Sequence, residues 1–330
     1  MPSVSIFGAA GFTGALTARL LHRHPVFELE TVTARADAGK RLSELYPHHR
    51  VPLVLEELDL ERHAQIDAAV VAYPHGQAAP LVAALRERGV RVVDLSADFR
   101  LRDPAVYEAW YRTHPQPDLL ADAVYGLPER YRAQIKGSAL VANPGCYPTA
   151  ALLALAPLAR AGLIEDAVID AKSGVSGAGR TATEKTHFVS IDENISAYGV
   201  PRHRHTPEIE QELSALGAPI KVTFTPHLLP LDQGELVSCY VALRDGGEPD
   251  LEQLYGEFYA EEPFVELAST PPGVRDVRET NICRLSVHRD ERTRRAIVFA
   301  AIDNLWKGAA SQAVQNLNLM FGRPEGEGIS

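Results

Sequence analysis

The chain has 330 residues, of which 45% are hydrophobic and 23% are charged, and its formal net charge is −10. This length predicts about two domains, each with room for a full core. The acidic balance argues against a nucleic-acid-binding surface. The longest apolar run, residues 150–164, is interrupted by Pro157 and Arg160 and is too short to cross a bilayer, so we expect no membrane role.

The cysteines are Cys146, Cys239 and Cys283. Because they are odd in number and far apart, they do not form a disulfide framework, and a reducing cytoplasm is the expected compartment. The N-terminus enters a strand almost at once, without the basic and apolar regions that are typical of a secretory signal.

The first strand signal, Val4–Phe7, is followed by glycines spaced as GxxGxxG and then by a helical run over 15–22. Gly8 permits a tight turn, Gly11 lets the backbone approach a pyrophosphate, and Gly14 allows close packing of helix on strand. The N–H groups at the helix start would receive the anion. A merely tight turn is the alternative, but a strand before the glycines and a helix after them favour dinucleotide binding.

The second predicted strand, Leu29–Ala34, is followed by Arg35. Enzymes that select NAD usually place Asp or Glu at this point to bind the ribose 2′-hydroxyl. An arginine can instead pair with the 2′-phosphate of NADP, with Lys40 or Arg41 nearby to assist. Arg35 therefore favours NADP(H), although a surface arginine would look the same in sequence.

Further strand and helix signals follow in alternation. Residues 68–72 and 90–95 read as buried strands, with a helix over 77–88 between them. This rhythm predicts a parallel, doubly wound sheet whose ligand crevice lies at the carboxyl ends of the strands. The loops at those ends contain the candidate ligand-facing residues His75, Gly76, Ser96, Ala97 and Arg100. Surface positions are the alternative for the histidine and the arginine.

The stretch VANPGCYPTA, residues 141–150, contains the strongest candidate for chemistry. A short apolar run ends in an Asn-Pro-Gly turn, and Cys146 follows directly before an apolar helical run with Pro148 in its first turn. The positive end of the helix dipole favours a nucleophilic thiolate at this position. A buried cysteine that behaves as a small hydrophobe is the alternative.

The second half of the chain has a different pattern. A strand over 167–172 leads into a Ser/Gly-rich loop ending at Arg180, whose backbone N–H groups could cradle a phosphate or an amide; a plain flexible loop is the alternative. A helix is predicted over 251–259 and a final helix over 309–321. Alternating runs predict antiparallel strands over 220–225, 235–243, 281–287 and 296–301.

A second cluster of reactive side chains is HRHTPEIE, which begins at His203. His203 and His205, with the carboxylate of Glu208 nearby, suggest a general base and its orienting group. Thr206 as an N-cap and Pro207 at the first position predict a helix start. A metal site is one competitor, but the two histidines lack a third ligand at suitable local spacing. Ordinary loop histidines are the other.

The motifs GAAGFTG, LSADFR, ANPGCYPT, KSGVSGAGR, HRHTPEIEQEL and DNLWKGAASQAVQN together closely resemble those of the N-acetyl-γ-glutamyl-phosphate reductases of arginine biosynthesis, which are relatives of the aspartate-semialdehyde dehydrogenases. The likeness covers nearly the whole chain in the right order. The one departure is Ser311, where glycine would be commoner in the family.

This resemblance implies a fold and an activity. The fold is α/β plus α+β: a doubly wound Rossmann domain over 1–145, and an α+β catalytic and dimerisation domain over 146–304 built on a mainly antiparallel sheet. A C-terminal helix within 305–330 would pack back on the first domain. The implied activity is the NADP(H)-dependent reduction of a small-molecule acyl phosphate to a semialdehyde by a cytoplasmic homo-oligomer, either a dimer or a tetramer.

The resemblance also implies roles for single residues. Cys146 is the nucleophile that expels phosphate and forms a thioester, which is reduced and then collapses to the semialdehyde. His205 or His203 is the acid/base, with Glu208 as the orienting group. The residues implied for substrate binding are Arg100, Asn143, Arg180 and Arg204. Those implied for cofactor binding are Phe12, Thr13, Pro74, Ser173, Gly174 and Asn304, with the glycines, Arg35 and the loop residues His75, Gly76, Ser96 and Ala97.

Two other readings remain open in the sequence. A paralogous reductase that acts on carrier-bound aminoadipyl phosphate in lysine synthesis, or on aspartyl phosphate, would share every chemical step and differ in its substrate-binding residues. A nucleotide-binding regulatory or scaffold protein is the non-enzymatic alternative, and it would need neither Cys146 nor His205.

Overall fold

The computed structural model describes residues 1–244 and 249–329. The chain divides into two compact units, the first made of Met1–Gly145 with Ala309–Ser330 and the second of Cys146–Gly308. Within the described residues, no helix is both long enough and apolar enough to cross a membrane.

Over the described residues, fourteen strands form two sheets. In chain order they are Ser3–Phe7 (β1), Glu28–Thr33 (β2), Leu55–Glu56 (β3), Ala68–Val71 (β4), Arg91–Asp94 (β5), Val124–Tyr125 (β6), Leu140–Ala142 (β7), Ile164–Gly174 (β8), Ser196–Ala197 (β9), Val222–Leu229 (β10), Glu235–Leu243 (β11), Val265–Leu267 (β12), Cys283–Asp290 (β13) and Arg295–Ile302 (β14).

The α-helices lie between and after these strands. They are Phe12–His22 (α1), Leu42–Leu45 (α2), Leu60–His63 (α3), Ala79–Glu87 (α4), Pro104–Trp110 (α5), Pro128–Gly137 (α6), Cys146–Arg160 (α7), Phe188–Ile191 (α8), Thr206–Ser214 (α9), Leu251–Phe258 (α10) and Ser311–Met320 (α11). A π-helical turn, Trp306–Ala310, precedes the last helix. Short 3-10 helices occur at Pro47–His49, Pro117–Ala121, Val175–Ala178 and Val274–Val277.

The first unit is built on a seven-stranded sheet in the order β3-β2-β1-β4-β5-β7-β6, in which every adjacent pair is parallel. From β1 the chain adds strands on one side and then returns to add β4 and its successors on the other. The predicted doubly wound sheet is confirmed. In such a sheet, the carboxyl ends of β1 and β4 flank the crevice in which ligands bind.

The last helix belongs to the core of the first unit. All ten residues of α11 are buried, and the helix packs against α1, α6 and β5. Just beyond its end, the ring of Phe321 lies 4.3 Å from the guanidinium of Arg91, the first residue of β5. The C-terminal segment therefore closes one side of the parallel sheet.

The second unit contains a mixed sheet in the order β12-β13-β14-β11-β8-β10-β9. Its central strands β13, β14, β11 and β8 pair antiparallel, which confirms the predicted mainly antiparallel sheet. The prediction was wrong for residues 220–225, because β10 pairs with β8 in parallel and is antiparallel only to the two-residue β9. A long crossover containing α8 and α9 makes that parallel pairing possible.

Helix α7 is almost entirely buried in the second unit, where it packs against β11, β14 and α9. Pro157 inside the helix has no N–H, so the carbonyl of Leu153 loses its usual helical donor. The hydroxyl of Tyr259 supplies that missing hydrogen bond, and Tyr255 donates at 2.6 Å to the neighbouring carbonyl of Ala154. The helix thereby tolerates an internal proline.

Candidate active site

The turn from β1 to α1 requires glycine for steric reasons. Gly8 has a φ of +96°, and a Cβ on it would lie 2.6 Å from the carbonyl oxygen of Ala72. A Cβ on Gly14 would lie 2.5 Å from the carbonyl oxygen of Gly8. Gly11 differs, since a Cβ on it would meet no atom within 4 Å. It is the N-cap residue of α1 and makes no side-chain hydrogen bond to the helix. Open space at a helix N-terminus fits a bound pyrophosphate, and Phe12 and Thr13 are the first residues of that helix.

Arg35 follows β2 and is turned toward the loop after β4. Its guanidinium lies 5.3 Å from the centre of the Tyr73 ring and donates to Oε1 of Gln77 at 3.2 Å. Lys40, which the sequence offered as a helper, forms an ion pair with Asp37 at 2.8 Å. Arg35 is therefore the basic side chain placed beside Pro74 and its loop, as a 2′-phosphate ligand would require.

Asp98 organises the loops after β4 and β5, although the sequence analysis did not single it out. Its carboxylate accepts hydrogen bonds from the backbone N–H groups of Gly76 at 2.5 Å and of Ala78 and Ala79 at 3.1 Å each, and from the hydroxyl of Tyr107 at 2.9 Å. The carboxylate thus occupies the positive N-terminal end of α4. An acidic residue inside a strand-end loop was the available signal.

The same two loops are joined by further hydrogen bonds. The backbone N–H of Ala97 donates to Nδ1 of His75 at 3.0 Å. The hydroxyl of Ser96 donates to the carboxylate of Asp94 at 2.6 Å, and burial raises the pKa of that carboxyl to about 7. The four predicted residues His75, Gly76, Ser96 and Ala97 consequently lie in one hydrogen-bonded layer at the strand ends.

Arg100 and Asn143 connect the ends of β5 and β7. Arg100 is only 5% exposed, and its guanidinium donates to the carbonyls of Asn143 at 2.8 Å and Leu95 at 2.9 Å. The side-chain amide of Asn143 donates to the carbonyl of Ala309 at 3.3 Å and accepts from Asn316 at 3.0 Å. Both predicted substrate ligands therefore also hold backbone segments of the first unit in place.

Cys146 is the first residue of α7, and Pro148 lies in the same first turn. It is half-buried, whereas Cys239 and Cys283 are buried in strands of the sheet. The backbone of Gly308 packs against Cys146 so closely that a Cβ on the glycine would lie 2.8 Å from the cysteine Cβ. The DNLWKG segment thus fixes the position of Cys146 from outside its own helix.

The two histidines lie next to the residue that follows Cys146. The centroids of the His203 and His205 rings are each 5.9 Å from the Tyr147 ring and 4.9 Å from one another. Burial lowers the pKa of His203 to about 4, and the charge of Arg204 adds to this effect. His203 is therefore a neutral imidazole at physiological pH, enclosed by the rings of Tyr198 and Phe224.

A chain of tyrosine hydroxyls borders this cluster. Tyr198 donates to the Tyr147 hydroxyl at 3.2 Å, and Tyr147 donates to the carbonyl of His227 at 3.2 Å. Burial raises the pKa of both tyrosines far above the usual range. Both hydroxyls therefore remain protonated and act only through hydrogen bonds.

Glu235, the first residue of β11, is a buried acid that the sequence analysis missed. Its side chain is 0% exposed. Burial raises its pKa to about 8, and the charge of Asp303 adds to that rise. In the sequence, a glutamate at the first position of an alternating strand is expected to be exposed to solvent. No local pattern therefore indicated that Glu235 is buried.

The amide of Asn304 ties the Ser/Gly-rich loop to the start of β11. Its Oδ1 accepts from the N–H of Gly234 at 2.8 Å, and its Nδ2 donates to the hydroxyl of Ser176 at 3.0 Å. Ser173, 2% exposed, donates to the carbonyl of Gly174 at 3.1 Å, and a Cβ on that glycine would lie 2.6 Å from the carbonyl oxygen of Asp232. The residues implied for the cofactor amide thus share one rigid loop cluster.

The remaining predicted residues differ in their exposure to solvent. Arg180 and Arg204 are exposed on loops, and Glu208 lies 1% exposed in the first turn of α9. Across the described residues, no group of three or more His, Cys, Asp or Glu side chains is arranged to hold a metal ion. In the second unit, His203 and His205 thus pack against Tyr147, the residue that follows Cys146, and the two arginines lie at the surface.

Two known families match successive parts of the chain. Residues 3–138 match the family described as "Semialdehyde dehydrogenase, NAD binding domain", and residues 146–304 match "Semialdehyde dehydrogenase, dimerisation domain". Among solved structures, the chain resembles aspartate semialdehyde dehydrogenase II from Vibrio cholerae complexed with ASA, with a TM-score of 0.73, 21% identity and 98% of each chain covered. It also resembles aspartate semialdehyde dehydrogenase with NADP from Candida albicans, with a TM-score of 0.73, 16% identity and 97% and 98% covered.

Curated relatives are much more similar in sequence. The chain is 49% identical to the N-acetyl-gamma-glutamyl-phosphate reductase of Dehalococcoides mccartyi strain CBDB1, with 98% of this chain and 96% of that protein covered. It is 51% identical to the N-acetyl-gamma-glutamyl-phosphate reductase of Moorella thermoacetica, with 98% and 97% covered. The resemblance inferred from the motifs is confirmed, and the chain belongs to the N-acetyl-γ-glutamyl-phosphate reductase family of semialdehyde dehydrogenases.

Proposed function

We propose that the chain catalyses the NADPH-dependent reduction of N-acetyl-glutamyl 5-phosphate to N-acetyl-glutamate 5-semialdehyde and phosphate, a step of arginine biosynthesis. Relatives 49% and 51% identical over nearly their whole length are named for this reaction. The structural observation that carries the proposal is Cys146, half-buried at the start of α7, whose neighbour Tyr147 packs against His203 and His205. A binding or scaffold protein would have no use for such an arrangement.

Cys146 is the nucleophile of the reaction. Its thiolate, favoured by the N-terminal end of the α7 dipole, attacks the acyl carbon and expels phosphate, leaving a thioester on the sulfur. The contact with Gly308 holds the Cys146 backbone while the acyl group is attached. Dividing one difficult substitution into two easier steps is the advantage of the covalent route.

The first unit provides the cofactor site. The glycine turn after β1 leaves open space at the N-terminus of α1, which suits a pyrophosphate, and Arg35 is the ligand for the 2′-phosphate of NADP(H). When bound, NADPH supplies the hydride that reduces the thioester carbon. Ser173, Gly174 and Asn304 form the rigid loop cluster assigned to the nicotinamide end.

His205 is the acid/base. His203 has its pKa lowered to about 4 and accepts a backbone hydrogen bond at Nδ1, so it is a poor proton carrier at neutral pH and orients its neighbour instead. His205 protonates the oxygen of the thiohemiacetal and removes that proton as the aldehyde forms. Glu208, buried in the first turn of α9, is the orienting carboxylate.

The substrate carries a phosphate and a carboxylate, which require cationic and amide partners. Arg100, Asn143, Arg180 and Arg204 are the residues we assign to these groups, and each offers hydrogen-bond donors that match an oxyanion. The second unit matches a dimerisation family, so the chain assembles as a homo-oligomer, and we propose a dimer or a tetramer. A reducing cytoplasm, in which three free cysteines would persist, is the proposed compartment.

The purified protein tests this proposal in the reverse direction. We expect NADPH to form from NADP⁺ and phosphate with N-acetyl-glutamate 5-semialdehyde, and not with aspartate semialdehyde. Activity with aspartate semialdehyde or with a carrier-bound aminoadipate semialdehyde would assign the chain to a paralogous reductase. NADPH binding without turnover of any of these aldehydes would favour a regulatory or scaffold role.

A further inference from the structure

Arg35 carries a positive charge that no acidic side chain neutralises. It is exposed shortly after the end of β2, and among the described residues its guanidinium forms no ion pair. Other cations of the same unit are paired, since Lys40 lies 2.8 Å from Asp37 and Arg62 lies 2.9 Å from Glu56. The chain as a whole has a formal net charge of −10. An unpaired cation in such an acidic chain is available to an anionic ligand.

The guanidinium of Arg35 is held by two neutral side chains of the loop that follows β4. Its carbon lies 5.3 Å from the centre of the Tyr73 ring, and Nη1 donates to Oε1 of Gln77 at 3.2 Å. The aromatic face attracts the cation, and the amide oxygen accepts one of its five N–H donors. Neither contact neutralises the charge, so the remaining donors can bind an oxyanion.

Tyr73 also contacts the glycine turn to which the pyrophosphate is assigned. A Cβ on Gly8 would lie 3.0 Å from Cδ1 of Tyr73, so the ring packs on the backbone of the turn. The turn is in turn hydrogen-bonded to the end of β2, because the N–H groups of Gly8 and Ala9 donate to the carbonyl of Thr33 at 3.2 and 2.8 Å. One side chain of the β4 loop therefore touches both the pyrophosphate turn and the guanidinium assigned to the 2′-phosphate.

We propose that Tyr73 and Gln77 are positioning residues for NADP(H) specificity, which hold the unneutralised guanidinium of Arg35 where the 2′-phosphate of the cofactor binds. This assignment rests on the proposed role of Arg35 and deepens it, since part of the cofactor preference then belongs to the loop after β4. An exposed arginine samples many rotamers, and ordering it in advance removes that entropy loss from the binding step. NADH has no 2′-phosphate, so only NADPH gains from the ordered arginine.

The neutral amide at position 77 is essential to this role. A carboxylate in the place of Gln77 would accept the same hydrogen bond, but it would also neutralise Arg35 and repel a phosphate. In Gln77→Glu we therefore expect the Kd for NADPH to rise by about tenfold while that for NADH changes by less than about twofold. Gln77 is exposed, so this substitution of similar shape leaves the fold intact.

Fluorescence titration of the full chain with NADPH and with NADH measures both dissociation constants for each variant. Tyr73→Leu removes the aromatic face, and we expect its Kd for NADPH to rise by about two- to fivefold, the scale of an exposed cation–π contact, with the Kd for NADH unchanged. Tyr73→Phe keeps the ring and should keep the wild-type ratio of the two constants. Tyr131→Leu is the matched control, because the guanidinium of Arg130 lies 5.0 Å from the Tyr131 ring on α6, and it should leave the ratio unchanged.

An Arg35→Ala background shows whether the loop acts through the arginine. There, adding Tyr73→Leu should cause no further change in the ratio of the two constants. If Tyr73→Leu does not fold, Gln77→Glu decides the question. A wild-type ratio in the folded loop variants, or equal weakening of both cofactors, overturns the proposal and leaves the role of Arg35 intact. An unchanged ratio in Arg35→Ala overturns the assignment of Arg35 itself, and failure of the proposed reaction is seen separately in the assay of aldehyde turnover.

Discussion

Nδ1 of the His203 imidazole accepts a hydrogen bond of 3.1 Å from the backbone N–H of His205. The acceptor nitrogen must be unprotonated, so the proton of neutral His203 is on Nε2. The lowered pKa of His203, caused by burial and by Arg204, agrees with a neutral ring. His203 therefore fixes the backbone at the start of α9, and His205 is left as the acid/base of the proposed reaction.

Substituting the two histidines should separate these roles. We expect His205→Asn to lower kcat by about 10²–10⁴-fold, the usual scale for loss of an acid–base group. His203→Asn removes the packed ring and should cost thermal stability more than rate. Steady-state kinetics and thermal melts on both variants provide the measurement. A larger kcat loss in His203→Asn would exchange the two assignments.

Arg35 should determine the preference for NADPH over NADH. Replacing it by Asp removes the cation assigned to the 2′-phosphate and adds repulsion, so we expect the Kd for NADPH to rise by at least about tenfold while that for NADH changes little. Fluorescence titration with both cofactors measures the ratio. Arg62→Asp is the control, since Arg62 is a solvated arginine of the same unit, paired with Glu56 at 2.9 Å. An unchanged ratio in Arg35→Asp would remove Arg35 from the cofactor site.

Gly308 should tolerate no side chain. A methyl group there would lie 2.8 Å from the Cβ of Cys146 and 3.3 Å from the carbonyl oxygen of Asp303, so Gly308→Ala must displace the nucleophile. We expect kcat and the alkylation rate of Cys146 both to fall, by about tenfold or more, since small misplacements of reacting groups are costly. Gly256→Ala in α10 meets open space and should be neutral or stabilising. Full activity in Gly308→Ala would show that the position of Cys146 is not critical.

Glu235 should make the stability of the protein depend on pH. Its pKa is 4.5 in the unfolded chain and about 8 in the folded one, so the folded state binds more protons between these values and stability falls as pH rises through them. Glu235→Gln has no carboxyl to ionise, so its stability does not fall for this reason over that pH range. Because ~1 kcal/mol corresponds to ~2–4 °C in a domain of this size, we expect its Tm relative to wild type to rise by several degrees across that range. A Tm difference that does not vary with pH would contradict the buried, protonated carboxyl.

The sequence predicted the elements with a long, regular pattern. The strand over 235–243 has the predicted bounds, and the glycine turn joins a strand and a helix as its spacing indicates. The two-residue strands β3, β6 and β9 are too short to show any periodicity. Alternation also cannot distinguish a parallel from an antiparallel partner, which is why the pairing of β10 with β8 was predicted wrongly.

The local sequence pattern was least informative where tertiary contacts determine the structure. Thr206 was predicted to cap α9, but the helix begins at Thr206 with His205 at the N-cap, and the Thr206 hydroxyl is buried without a hydrogen-bond partner among the described residues. The final helix was predicted from residue 309, and a π-helical turn replaces its first residues. Asp98 and Glu235 acquire their buried environments from strands that come together only in the folded chain, so neither could be recognised from its neighbours in sequence.

The most direct test of the central claim is to capture the thioester on Cys146. The protein is mixed with N-acetyl-glutamate 5-semialdehyde and NADP⁺ in the absence of phosphate, and NADPH absorbance and intact mass are followed together. We predict a rapid burst of one NADPH per chain, with the acyl group attached to Cys146, and release of the acyl phosphate when phosphate is added. No burst and no adduct on Cys146 in a wild-type protein that turns over normally with phosphate, or full activity in Cys146→Ser, would contradict the account.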